Sequence, residues 1–387
     1  MEIEPESRAV NLTRHYDLAV VGAGIVGLAH ALAAARRGLR VVVFERNAQA
    51  VGASVRNFGL LWPIGQPAGL RHDRALRSRE IWSEVSSAAG LHLDPSGSLH
   101  LAYRADEWAL LQEFAATPLG SSFDRMLLTP KEAIARSAAV ELTGLRGALW
   151  SPTEATVDPR QAIAALPAWL HTTYGVTLQF GTTVRSMALP VIQTTAGVFQ
   201  ADRVVVCSGQ DFETLYPEVF MSQPITRCKL QMLRTPPQPD LWPLGPALCA
   251  GLTLTHYDSF KSCAGLAAVV ARARAEYPFH VEHGIHVLVS QTALGELTLG
   301  DSHHYGLTLS PFDREDINAA IMSYLRTFAH APDLSIAERW HGIYPKMTDG
   351  RSELVLRPET GVMIVNGLGG AGMTMAFGLA EENLRDF

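Results

Sequence analysis

Between Tyr16 and Phe44 the chain passes through three hydrophobic patterns in succession. Tyr16-Asp17-Leu18-Ala19-Val20-Val21 is almost unbroken, the pattern of a strand covered on both faces, and Leu39-Arg40-Val41-Val42-Val43-Phe44 repeats it. Between them Leu28 to Arg37 carries small apolar residues at helical density. The predicted unit is strand, turn, helix, strand. Downstream, Leu76, Ile81, Trp82 and Val85 recur at helical intervals and predict an amphipathic helix over His72 to Ala89. Ser98 to Tyr103 alternates as a strand, and Asp106 to Ala115 is helical. Thr129-Pro130 and Asp158-Pro159 each place a capping side chain before a first-turn proline, the start of two more helices, the second running toward His171.

Val176 to Phe180 and Thr183 to Met187 read as short strands, and Val191 to Thr195 with Gly197 to Gln200 as a hairpin. Asp202 to Cys207 then forms a further parallel strand that rejoins the first sheet. From Gln223 to Gly300 strand-like runs dominate: Cys228 to Leu233, Ala247 to Leu254, Gly284 to Val289 and Glu296 to Leu299. They predict a second, mostly antiparallel sheet. Pro311 to Phe328 is helical, Ser335 to Tyr344 and Gly361 to Val365 are strands, and a glycine-rich segment, Gly367 to Thr374, opens a last helix.

The turn inside the first unit carries the chemistry. Gly22 permits a tight turn, Gly24 lets backbone approach a pyrophosphate, and Gly27 lets the helix pack on the strand. The amides at the helix start, Ile25 and Val26 among them, then face the phosphates. Glu45, at the end of the second strand, stands where an adenosine ribose offers its hydroxyls. Strand, turn, helix, strand and terminal acid at this spacing predict a dinucleotide site.

Composition narrows the class. The chain has 387 residues, 47% of them hydrophobic and 18% charged, and a net charge of -6, which disfavours a nucleic-acid partner. Cys207, Cys228, Cys249 and Cys263 are scattered without metal or disulfide spacing and fit separate thiols in a reducing cytoplasm. The polar stretch Met1 to Arg14 lacks the form of a secretory signal, and no apolar run is long enough to span a membrane. A cytoplasmic protein is the expectation; the oligomeric state is open.

The combined motifs resemble the flavoprotein family of glycine oxidase, D-amino-acid oxidase and monomeric sarcosine oxidase. The resemblance covers nearly the whole chain: the glycine fingerprint with Glu45, the loop Gly52-Ala53-Ser54 continuing into Arg56-Asn57, the return strand ending Cys207-Ser208-Gly209, Trp340-His341-Gly342 before Thr348-Asp349-Gly350, and Gly367 to Thr374. It implies α/β and α+β architecture: a Rossmann-type FAD-binding domain over 14–90, 145–222 and 335–387, and a mostly antiparallel substrate domain over 91–144 and 223–334. It also implies FAD, held by Gly22, Gly24, Ile25, Val26, Gly27, Glu45, Arg46, Ser54, Arg56, Asn57, Gly59, Ser208, Gly209, Gly342, Gly369, Gly370, Gly372, Met373 and Thr374. Gly342 matches the cysteine that links flavin in sarcosine oxidase, so noncovalent FAD is expected; Thr374 matches its carboxylate-binding lysine. The implied reaction oxidises the C–N bond of a small amine to an imine, with molecular oxygen one acceptor, giving hydrogen peroxide. Ala53 to Gly59, Trp62-Pro63, Gly65-Gln66 and Cys207 to Asp211 further resemble a branch found with bacterial phosphonate-breakdown genes. That likeness points to 2-aminoethylphosphonate or its N-methyl derivative, yielding phosphonoacetaldehyde. Oxidation of glycine, sarcosine or a D-amino acid, or passive flavin binding, are the alternatives.

An anionic amine needs cationic and hydrogen-bonding side chains at its far end. The candidates are Arg56 in the loop expected at the flavin, Lys229 and Arg227 in the strand that leads into the second sheet, His256, the cluster His303-His304-Tyr305, and His341 at the flavin edge. No metal is expected, because His303 and His304 lack a third ligand nearby in sequence.

Overall fold

The computed structural model describes residues 15–117, 123–385 and 387. The polar stretch Met1 to Arg14 lies outside them. The hydrophobic unit at the start of the chain forms as expected: strand His15–Val21, helix Ile25–Arg36 and strand Val41–Glu45. His15–Val21 is the middle of the first sheet, parallel to Val41–Glu45 on one side and Gly197–Val206 on the other, with Val21 level with Phe44 and Val206. Three strand ends therefore deliver Gly22, Glu45 and Cys207 to one edge. Thr177–Phe180 and Val362–Asn366 extend the parallel order outward.

The predicted hairpin strand and the parallel strand that follows it are a single strand, Gly197–Val206. Its first half pairs antiparallel with Val191–Thr194 and its second half parallel with His15–Val21. The polar Asp202 does not break it, because the side chain is exposed and pairs with His15 at 3.0 Å. Helices Ile25–Arg36, Leu70–Ala89, Pro159–Tyr174 and Gly372–Asn383 pack over this sheet around Leu28, Leu32, Trp82, Ile163 and Phe377. Arg74 clamps the long helix to the last one, donating to Glu382 and to Glu353, each at 2.7 Å. Trp82 adds a hydrogen bond to the Met373 carbonyl at 2.8 Å.

The second sheet has nine strands, antiparallel except where Ala247–Ala250 lies parallel to Ser98–Ala102. Its longest pairing runs from Ile225 opposite Met347 to Arg234 opposite Glu338. Two strands assigned by sequence to the nucleotide-binding portion are hydrogen-bonded here instead. Gly147–Ser151 pairs with Ser98–Ala102 and Met126–Leu128, and Glu338–Met347 pairs with Ile225–Pro237. The second of these is the physical link between sheets, because Lys346 at its end bridges to Leu368 before the last glycine turn. Two further expectations change. The Ala247 to Leu254 run is a strand only to Ala250 and then a helical turn, Gly251–Leu254, whose Leu252 amide donates to Tyr324 Oη at 2.9 Å. Helix Leu266–Glu276 was not expected from the strand-like runs around it; only Val269 and Ala273 are buried, too narrow a stripe to stand out.

The first helix packs most closely at Gly27, where an added Cβ would stand 1.9 Å from the Gly22 carbonyl oxygen. Gly27→Ala should destabilise the apoprotein by about 1–3 kcal/mol as an overpacked contact. An unchanged denaturant midpoint would show that helix and strand separate freely at this point.

Candidate active site

The first half of the site is the edge where the three parallel strands end. Gly22 has φ +104, and a Cβ there would lie 2.4 Å from the Cys207 carbonyl oxygen, so the turn and the return strand touch through backbone alone. Helix Ile25–Arg36 starts without a cap from its own side chains; Ser54 Oγ accepts the Ile25 amide at 2.9 Å. The amides of Val26 and Gly27 have no intrahelical acceptor and remain for an anion. The Glu45 carboxylate, 8% exposed, accepts from the amides of Ala23 at 3.1 Å and Asn47 at 3.0 Å. It thus orders the turn beside it. Arg46 points to Asp211, at 2.7 Å.

The loop after Glu45 holds itself together. Asn57 donates to the carbonyls of Ala53 and Ser54 and accepts from Gly59, and a Cβ on Gly59 would collide with the Val157 carbonyl oxygen. Arg56 donates to the carbonyls of Val51 at 2.8 Å and His341 at 3.1 Å, and its own carbonyl accepts from Trp340. Its guanidinium staples the loop to the Glu338–Met347 strand at Gly342, whose added Cβ would lie 3.1 Å from the Arg56 carbonyl oxygen. Opposite, Asn366 ties down Ser208 and Gly209.

The last glycine segment meets the first. Gly372 opens helix Gly372–Asn383 with its nearest neighbour at Ile25, while Gly369 abuts Lys346 and Gly370 abuts the Tyr344 hydroxyl. Met373 is buried, and Thr374 is engaged on both sides, accepting from the Trp62 amide at 2.9 Å and donating to the Leu60 carbonyl.

The second sheet supplies the facing wall, and its pleat sorts the sequence candidates. Tyr305, Cys228 and Tyr344 are cross-strand partners, so they share a face, which Gly342 and Lys346 continue. That face meets Ala53, Phe58 and the glycine turn. Lys229 and His304 are partners one residue out of phase, as is His341, so all three lie on the opposite face. There Lys229 is 5% exposed and donates to the Ser310 and Phe312 carbonyls and to Asp313, which also meets His341 Nδ1 at 2.9 Å. His304 is exposed. Arg227 is spent on Glu213 and on backbone carbonyls. Lys229, His304 and His341, expected at the site, are turned from it, because the sequence does not show which face of each strand is inward.

On the site face His303 is buried and stacks near His256 and His286, with ring centroids 4.8 and 5.2 Å away. Burial pushes His256 and His286 well below the ordinary histidine range and His303 to about 4, so the rings are neutral. Burial also raises the Tyr305 and Tyr344 hydroxyls. Lys346, half-buried, lies 3.3 Å from Tyr305 Oη and over its ring, and no carboxylate among the described residues pairs with it. His286, Tyr344 and Lys346 escaped sequence reasoning. His286 sits in an apolar run, and only the Tyr305-Tyr344 parity marks the other two.

The family model for FAD dependent oxidoreductases matches residues 17–383, and the chain belongs to that family. Glycine oxidase of Geobacillus kaustophilus (strain HTA426) is 25% identical over 366 residues, 90% of this chain and 86% of that protein. The fold matches the crystal structure of glycine oxidase from Geobacillus kaustophilus, with TM-score 0.73, 22% identity and coverage of 96% and 95% of the two chains. It matches glycine oxidase from Bacillus cereus with TM-score 0.75, 16% identity and coverage of 95% and 93%. The protein is an FAD-dependent amine oxidoreductase. The residues present fit that cofactor: an uncapped helix start for its phosphates, a buried carboxylate at the adjacent strand end, and a second glycine turn brought against the first. Among the described residues no helix is long and apolar enough to cross a membrane.

Replacing Glu45 with alanine removes the carboxylate that anchors the amides of Ala23 and Asn47. FAD affinity should fall by roughly 1–3 kcal/mol in a titration of refolded apoprotein. Unchanged affinity would remove Glu45 from the cofactor site.

Proposed function

We propose that the chain oxidises the C–N bond of a small amine whose far end is an anion, with 2-aminoethylphosphonate or its N-methyl derivative as substrate. The imine product then takes up water to give phosphonoacetaldehyde and ammonia or methylamine. The observation that carries this reading is Lys346, a half-buried ammonium without a carboxylate partner among the described residues, set beside Tyr305 and Tyr344 against the last glycine turn. A cation held at such a position binds an anion by charge-assisted hydrogen bonds, and the tyrosine hydroxyls add donors. Fixing the anion leaves the amine-bearing carbon as the free end of the molecule, and selectivity follows from that positioning.

Bound FAD supplies the two-electron acceptor. Gly22, Gly24, Val26, Gly27 and Glu45 would hold its nucleotide half, and the Gly369 to Gly372 turn would present amides to the flavin's pyrimidine edge. Arg56, engaged by two carbonyls, keeps the Val51 to Arg56 loop against Gly342. Gly342 offers no sulfur for a covalent link, so FAD is held without one. The similarity to glycine oxidase supports a second reading, in which the anion is a carboxylate and the substrate is glycine, sarcosine or a D-amino acid.

Acid precipitation should leave all flavin in the supernatant; flavin retained by the denatured chain would contradict noncovalent binding. Lys346→Met, with full FAD loading, should slow anaerobic flavin reduction by 2-aminoethylphosphonate about ten- to a hundredfold more than reduction by an uncharged amine of similar size. Equal losses would mean that Lys346 supports the turn and does not bind the substrate.

A further inference from the structure

We propose that His256, His286 and His303 form a binding site for one divalent transition-metal ion. The three ring nitrogens lie within 4.8 Å of one another. They come from three separate segments: the turn after Gly251–Leu254, the approach to strand Leu288–Gln291, and the turn before strand His304–Gly306. Sequence reasoning saw only His303 and His304 and lacked a third ligand; the fold turns His304 away and brings two other histidines in.

Unsatisfied atoms point to an ion. Both ring nitrogens of His286 and Asp301 Oδ1 are closed to solvent and have no hydrogen-bond partner among the described residues, although His286 Nε2 and Asp301 Oδ1 are only 3.3 Å apart. Leaving such groups buried and unmatched is costly. A substrate larger than water does not reach atoms that solvent cannot touch, whereas a bare ion bonded at about 2.0–2.2 Å fits among them. His303 Nδ1 donates to the Gly284 carbonyl at 2.9 Å, which leaves Nε2 as a lone-pair ligand with its ring already oriented. The Asp301 carboxyl lies beside the rings, its Oδ1 3.3 Å from His286 Nε2. Lys346 lies on the same face of the sheet and opposes a cation here. Tetrahedral zinc spaces its ligand atoms about 3.4 Å apart, so the rings need to draw together by up to about 1.4 Å. Three imidazoles suit zinc and its first-row neighbours. The site does not depend on the substrate reading, and its test involves no substrate.

FAD-loaded enzyme, stripped with a chelator and dialysed against zinc at about 10 μM free ion, should retain close to one zinc per chain by elemental mass spectrometry. His286→Ala and His256→Gln, each checked for full FAD content, should lower zinc affinity by at least about 100-fold, and His304→Ala should not change it. Substoichiometric zinc on the wild-type enzyme would overturn the proposal whatever the variants do. So would equal losses in His304→Ala and in the two cluster variants.

Discussion

The register between strands Ile225–Pro237 and Glu338–Met347 decides what the site contains. It places Tyr344 level with Cys228, and the pleat then carries Gly342, Tyr344 and Lys346 to one face while Lys229 and His341 go to the other. A slip of one residue would exchange the two sets. The same strand is held by the second sheet yet ends against the last glycine turn through Lys346 and Leu368. Gly372 of that turn rests on Ile25, at the start of the first helix. Nucleotide cradle, glycine turn and substrate wall are thus joined through one strand.

Much of this was legible in the sequence where the signal is local. The strand, turn, helix and acid between Tyr16 and Glu45, and the caps at Thr129 and Asp158, appear as expected because each depends on neighbours a few residues away. The likeness to amine-oxidising flavoproteins also rests on such local motifs. What was not legible depends on distant partners. Nothing near His286 in the chain marks it as a neighbour of His256 and His303. The opposite faces of Lys229 and Tyr305 follow from a period of two, but only the fold shows which face is inward. Arg56 looked like a ligand-binding residue because it stands among small polar residues; its partners, Val51 and His341, are backbone carbonyls that sequence does not display.

Lys346, which no carboxylate among the described residues pairs with, shares a face with His303, and the buried Asp301 carboxyl group lies behind it, next to His286. Burial holds the rings neutral, so Lys346 is the standing positive charge on that face. Under the proposed function an incoming anion would meet it without first breaking an ion pair, which would favour an anionic substrate over a neutral one of the same size.

The most direct measurement is anaerobic stopped-flow reduction of the bound flavin by a panel of 2-aminoethylphosphonate, its N-methyl derivative, glycine, sarcosine, a D-amino acid and ethylamine. The aminophosphonates should reduce the flavin fastest and ethylamine slowest. Ethylamine reducing the flavin as fast as the anionic amines would contradict anion recognition at Lys346, and glycine or sarcosine outrunning every aminophosphonate would contradict the phosphonate assignment.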